Sequence, residues 1–175
     1  MLLLRLAICA LALTSCRSLP GTPASEPVEL RQTIEELYDA FCFDAGGEPD
    51  WEAQRAIYLD GASFVSPARV GLRPEGVDEA SFLSDFREFV LEGPYAQTGF
   101  HERIVGLRVD AFGGIAHAFV AFEGFRPGEG ETVSRGLDSI QFVRDGGAWR
   151  LVSFTTQYEG PDLSMPGRFL VGPRD

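Results

Sequence analysis

The chain has no lysine: all 15 of its basic residues are arginine, set against 26 aspartates and glutamates. Its net charge of −11 at pH 7 and pI near 4.6 repel phosphate backbones and anionic lipid headgroups, which argues against nucleic-acid binding. Cysteine is scarce. Cys9 lies near the start, Cys16 follows an apolar stretch, and Cys42 stands alone, so no pair can staple an exported domain and the fold must rest on its core. Cys42 sits between Phe41 and Phe43 at an expected helix end and reads as a small buried hydrophobe, with no base in view to make it a nucleophile. Two histidines and scattered acids show no metal-ligand spacing, so no metal and no cofactor are expected. A Gly-rich phosphate loop, a nucleophile elbow, an internal repeat and an apolar run long enough to cross a bilayer are all missing.

What is present begins with a leader. Arg5 precedes an eight-residue apolar core at 6–13, the charged-then-apolar layout of a secretory signal. The step Leu13-Thr14-Ser15-Cys16 that follows resembles a bacterial lipobox, in which the cysteine becomes the lipid-modified first residue. That resemblance implies a signal peptide over 1–15 and lipidation at Cys16. Arg17, in place of an aspartate linked to inner-membrane retention, points to the outer membrane, facing the periplasm. Residues 16–27 then form a Ser-, Pro-, Gly- and Thr-rich tether. A length of 175 residues at 45% hydrophobic fits one compact domain beyond it, expected over 28–160 with a tail over 161–175.

Within the domain, Leu30, Ile34, Leu37 and Phe41 recur at helical spacing, and Gly46-Gly47 is the expected stop. Asp50 can cap a short second helix running through Tyr58 to Gly61, and 62–66 reads as a strand closed by Pro67. A third helix is expected over 78–91, broken by Gly93-Pro94. Four strands follow, at 101–110, 115–125, 131–143 and 148–158, with glycine-bearing turns as antiparallel hairpins need. The strongest of these signals is Asp145-Gly146-Gly147 between two runs rich in Ile, Val, Phe, Thr and Tyr. Alternation puts Asp138, Ile140 and Phe142 on one face, and Val152, Phe154, Thr156 and Tyr158 on one face opposite Trp149 and Leu151. Three helices, a short strand and a meander make an α+β domain.

The element order and the run GLDSIQFVRDGGAWRLVSFTTQYEG resemble the NTF2-like superfamily, shared with ketosteroid isomerase, SnoaL-like cyclases and scytalone dehydratase. IAHAFVAFEG, SRGLDSIQFV and MPGRFL resemble a bacterial SnoaL-like subgroup. The resemblance implies a cone: three N-terminal helices packed on a strongly bent, mainly antiparallel sheet around an apolar pocket, with homodimerisation through the outer sheet face. In ketosteroid isomerases the general base precedes the proline of the first strand; the matching residue here is Ser66, and a lone hydroxyl cannot take a proton from carbon at neutral pH. Their oxyanion-hole acid matches Asp138, and their helix-one tyrosine falls near Tyr38. A carboxyl among apolar side chains can stay protonated and donate a hydrogen bond.

Asp138 is therefore the residue to single out, either as a ligand contact or as a buried acid satisfied by Tyr38, Thr156 or Tyr158. Phe122, Phe142 and Phe154 complete the expected ligand-binding set, and no catalytic residue is assigned. His117 is expected on the outer side, and His101 in an exposed ion-pair cluster with Glu102 and Arg103. Three readings follow: a lipid-anchored module binding a small hydrophobic or amphiphilic molecule, an enzyme of the SnoaL or dehydratase kind using Asp138 as acid or base, and a structural dimerising domain whose pocket the 14 phenylalanines fill. The first is preferred, because the base position is Ser66.

Overall fold

The computed structural model describes residues 27–68, 74–128 and 132–170, the side chains of 66–68 excepted. The leader, Cys16 and most of the tether lie outside the described residues. So does the Ser66 side chain.

Helix α1 (Val28–Phe41) buries Leu30, Ile34, Leu37, Tyr38 and Phe41 along one stripe. It ends earlier than the Gly46-Gly47 pair, because Cys42 already has extended backbone and leads into a short strand, β1 (Phe43–Asp44), which pairs with Phe100 and Gly99. Helix α2 (Trp51–Ile57) starts as expected: the Asp50 side chain accepts the Ala53 N–H at 2.9 Å. Tyr58 is not its last turn but the first residue of β2 (Tyr58–Ala68), which is longer than the sequence pattern indicates. Gly61, with φ +83°, lies where the pairing of β2 with the strand at 148–158 slips between Tyr58 and Ser63, so it serves a strand irregularity instead of stopping a helix. Strand β3 (Gly76–Asp78) delivers Asp78 as the cap of α3 (Glu79–Arg87), accepting the Ser81 N–H at 2.9 Å. The expected helix continues to Glu92, but its last part, Glu88–Glu92, winds as a π turn.

Strands β4 (Gly99–Phe112), β5 (Ile115–Phe125), β6 (Thr132–Asp145) and β7 (Ala148–Tyr158) form the meander. The β6–β7 turn is the Asp145-Gly146-Gly147 hairpin, whose two glycines have φ +58° and +90°, the left-handed backbone that a tight hairpin of this hand requires. The sheet has seven strands in the order β1-β4-β5-β6-β7-β2-β3, and β2–β7 is its one parallel pairing among the described residues. Three helices thus pack on a curled, mainly antiparallel sheet, the expected α+β cone.

Strand β6 keeps its expected faces, with Asp138, Ile140 and Phe142 buried. Strand β7 does not. Gln141 pairs with Ser153 and Phe142 with Leu151, so Val152 is an extra residue bulged out of the ladder. The bulge moves Trp149 and Leu151 onto the same buried side as Phe154 and Thr156, where strict alternation would separate them. The chain after β7 also folds back. A short 3-10 turn (Gly167–Phe169) sets the Phe169 ring 5.3 Å from Phe119 on the outer face. Only glycine fits beneath it: a Cβ at Gly106 would stand 1.8 Å from the Phe169 carbonyl oxygen.

Candidate functional site

A partly open cavity of about 420 Å³ lies between the concave sheet and its helical roof. Phe82, Phe86 and Phe89 descend from α3 and the π turn, and Phe100, Phe122 and Phe154 rise from the strands. The phenylalanines line the space without filling it. Room for the Phe122 ring depends on its cross-strand partner Gly136, where a Cβ would come within 2.5 Å of that ring.

Asp138 stands on the cavity wall and is only 2% exposed. Both of its carboxyl oxygens accept hydrogen bonds: Oδ1 from the Thr156 hydroxyl at 2.6 Å, and Oδ2 from the Tyr38 hydroxyl. Strand pairing sets Thr156 directly across from Asp138, and the inward stripe of α1 supplies Tyr38. Burial raises the Asp138 pKa to about 7, while the two hydroxyl donors favour the carboxylate and pull the other way. Tyr38 is pushed well above its ordinary value, first by burial and then by the Asp138 charge, so it remains a donor.

Tyr158, Phe122 and Phe154 also line the cavity, so Tyr38, Asp138, Thr156, Phe122, Phe154 and Tyr158 form one constellation. Phe142 does not join them. It lies four residues from Asp138, about 13 Å along a strand, and packs in the core beside its cross-strand neighbour Leu151. His117 is on the outer side, with Nε2 2.9 Å from the Ser139 hydroxyl. His101 meets Asp44 at 3.0 Å at the rim.

Glu102 is the residue that sequence reasoning missed. It does not join an exposed cluster with His101 and Arg103; its side chain turns inward and lines the cavity. Burial, and secondarily the nearby Asp138 charge, raise its pKa to about 8. Strand parity carries the signal, since Glu102 alternates with Phe100 and Ile104, which face the core. Cys42 ties this residue to the constellation: its thiol donates to the Tyr38 carbonyl at 3.2 Å and accepts the Glu102 N–H at 3.2 Å. Burial pushes that thiol up to about 11, so it stays protonated and positions its neighbours. Asp85, Arg135 and Glu159 also line the cavity.

No protein-family model matches the chain, and no curated protein matches it in sequence. Solved structures do match in shape. An NTF2-like protein of unknown function from Pseudomonas putida superposes with a TM-score of 0.59 at 15% identity, over 83% of this chain and 94% of that one. A protein from Nostoc punctiforme, described as having a cystatin-like fold, gives 0.59 at 10% identity over 78% and 92%. The chain has the NTF2-like fold. A third match, titled a putative aromatic ring hydroxylase from Novosphingobium aromaticivorans, gives 0.55 at 21% identity over 78% and 94%. At these identities the matches establish the NTF2-like architecture, and the chemistry has to be read from the cavity.

Proposed function

We propose that this NTF2-like domain binds one small, mainly hydrophobic molecule in its cavity, oriented by Asp138, Thr156 and Tyr158. The observation that carries this reading is the open, aromatic-lined space of about 420 Å³ with a few converging polar groups, the form of a small-molecule site. A structural domain would have packed that space, since interiors close to near-crystalline density when nothing else is needed there. Nile red, a neutral apolar dye, tests it. The protein should bind the dye saturably at one site, and Val133→Trp, which puts an indole into the cavity, should weaken binding about tenfold or more. Equal binding by the variant, or none by the wild type, sinks the reading.

The proposal includes the leader. Lipidation at Cys16 would tether the domain to the bacterial envelope, at the periplasmic face of the outer membrane, as Leu13-Thr14-Ser15-Cys16 and Arg17 indicate. Cys16→Ser should move the protein from the membrane to the soluble fraction on cell fractionation. A variant that still sediments with membranes overturns the lipid anchor.

A further inference from the structure

The constellation around Asp138 leaves one polar group of the cavity unused. Asp138 is satisfied twice over, by Tyr38 and Thr156. The Glu102 carboxyl, by contrast, has no hydrogen-bond donor among the described residues, and the nearby charge that acts on its protonation is that of Asp138. Glu102 is half-buried, and an unpaired carboxyl on the wall of an open cavity is a place for a donor.

The charges at the cavity give the sign of that donor. Among the described residues, four acidic residues line it, Asp85, Glu102, Asp138 and Glu159, against one arginine, Arg135. Arg135 is already engaged: its Nε donates to Glu123 at 3.0 Å, and its Nη1 lies 3.8 Å from Glu159. An anionic ligand such as a fatty acid would find no free cation there among the described residues, and would have to sit beside the Asp85 and Asp138 carboxyls. A cation would be met by that charge and by the faces of the surrounding phenylalanine rings.

We propose that the cavity takes a hydrophobic amine, its ammonium docked on Glu102 and its apolar body lying among Phe82, Phe86 and Phe154. This deepens the binding function proposed above and rests on it. Glu102 is protonated before binding and becomes a carboxylate when the ammonium arrives, its proton passing to the buffer; no bond to carbon changes. Among the described residues, the groups sharing its surroundings are Asp138 on β6, Tyr38 on α1, Tyr158 on β7 and Cys42, none of them a cation.

The test uses protein expressed from the full chain and three probes of one shape, octylamine, octanol and octanoate, each displacing Nile red at neutral pH. Octylamine should compete about tenfold better than octanol, with octanoate weakest, because the ammonium forms an ion pair with the Glu102 carboxylate that octanol cannot form, whereas octanoate brings a further negative charge beside Asp138 and Asp85. Glu102→Gln should shrink the amine-to-alcohol ratio to within about threefold. The wild-type ranking stands as a test without the variant, should the variant fold poorly. Octanol competing as well as octylamine, or a preference that survives Glu102→Gln, overturns the amine proposal while leaving the cavity as a binding site. Failure of all three probes to displace bound Nile red also overturns it. Failure of Nile red itself to bind takes down the underlying reading, and the amine proposal with it.

Discussion

Glu102 and Asp138 hold their protons more tightly in the folded chain than an exposed carboxyl does, with values of about 8 and about 7. The sign of the consequence follows from linkage. The folded state binds more protons than the unfolded state between the ordinary carboxylate range and these raised values. The stabilisation they contribute is therefore complete at low pH, and is lost as pH rises from about 5 to about 8. Thermal melts should show stability falling over that window, opposite in direction to the acid sensitivity of paired carboxylates. Glu102→Gln removes one of the two groups, so its melting curve should flatten and it should gain on the order of 2 kcal/mol over the wild type near pH 8. A variant with the same pH slope as the wild type would show that Glu102 does not carry the effect. Glu123 is a contrast on the outer face: hydrogen bonds from Arg135 and Arg103 hold it below its usual range, so burial alone does not decide which way a carboxyl moves.

Secondary elements carry the site by two devices, a bulge and a bare backbone. The bulged Val152 lets one strand present Trp149 and Leu151 to the main core and then Phe154 and Thr156 to the same side, so that Thr156 meets Asp138 across the ladder. Gly106 leaves a flat patch on β4 onto which the segment after β7 folds. Any side chain there collides with backbone, not with a rotatable tip, so Gly106→Val should dislodge the 167–170 segment. Hydrogen exchange should show faster amide exchange at Phe169 and Leu170, whose N–H groups donate to Pro166 and Gly167, while β5 and β6 keep their protection. Unchanged protection in that segment would mean the tail is held by something other than its seat on Gly106.

For the whole molecule, the same tail determines which surface is open to a second copy. The β4–β5 side of the outer face carries Phe169 against Phe119, whereas Gln141, Thr155 and Gln157 on the β6–β7 side are exposed. A homodimer through the outer sheet face, which we propose for this chain, would use that β6–β7 side. Sedimentation velocity should give a dimer, and Gln141→Arg with Gln157→Arg, which sets like charges facing across a two-fold axis, should shift it to monomer. A wild-type monomer at tens of micromolar would refute the dimer. The fold is largely legible in the sequence. The meander, its hairpin glycines and the apolar stripe of α1 depend on local periodicity and turn chemistry, and those act within a few residues of one another. The candidate site was half legible. Asp138 showed itself as an acid on an apolar strand face, and Tyr38 and Thr156 as its possible donors. Glu102 was masked by charged neighbours, His101 and Arg103, that point the opposite way.

By itself, then, the sequence determined the class of fold, the place of Asp138 as an acid on an apolar strand face and the acidic character of the chain, because periodicity, turn residues and charge are properties of neighbouring positions. Only the tertiary structure decided that Phe142 leaves the site, that the phenylalanines line a space without closing it, and that Glu102 shares this space with Asp138. Each of these depends on residues distant in sequence: α3, β4 and β6 contributing to one cavity wall, a one-residue bulge re-aiming β7, and Cys42 bridging α1 to β4. Local pattern carries no record of which strand faces meet, and the chemistry of this chain is located where they do.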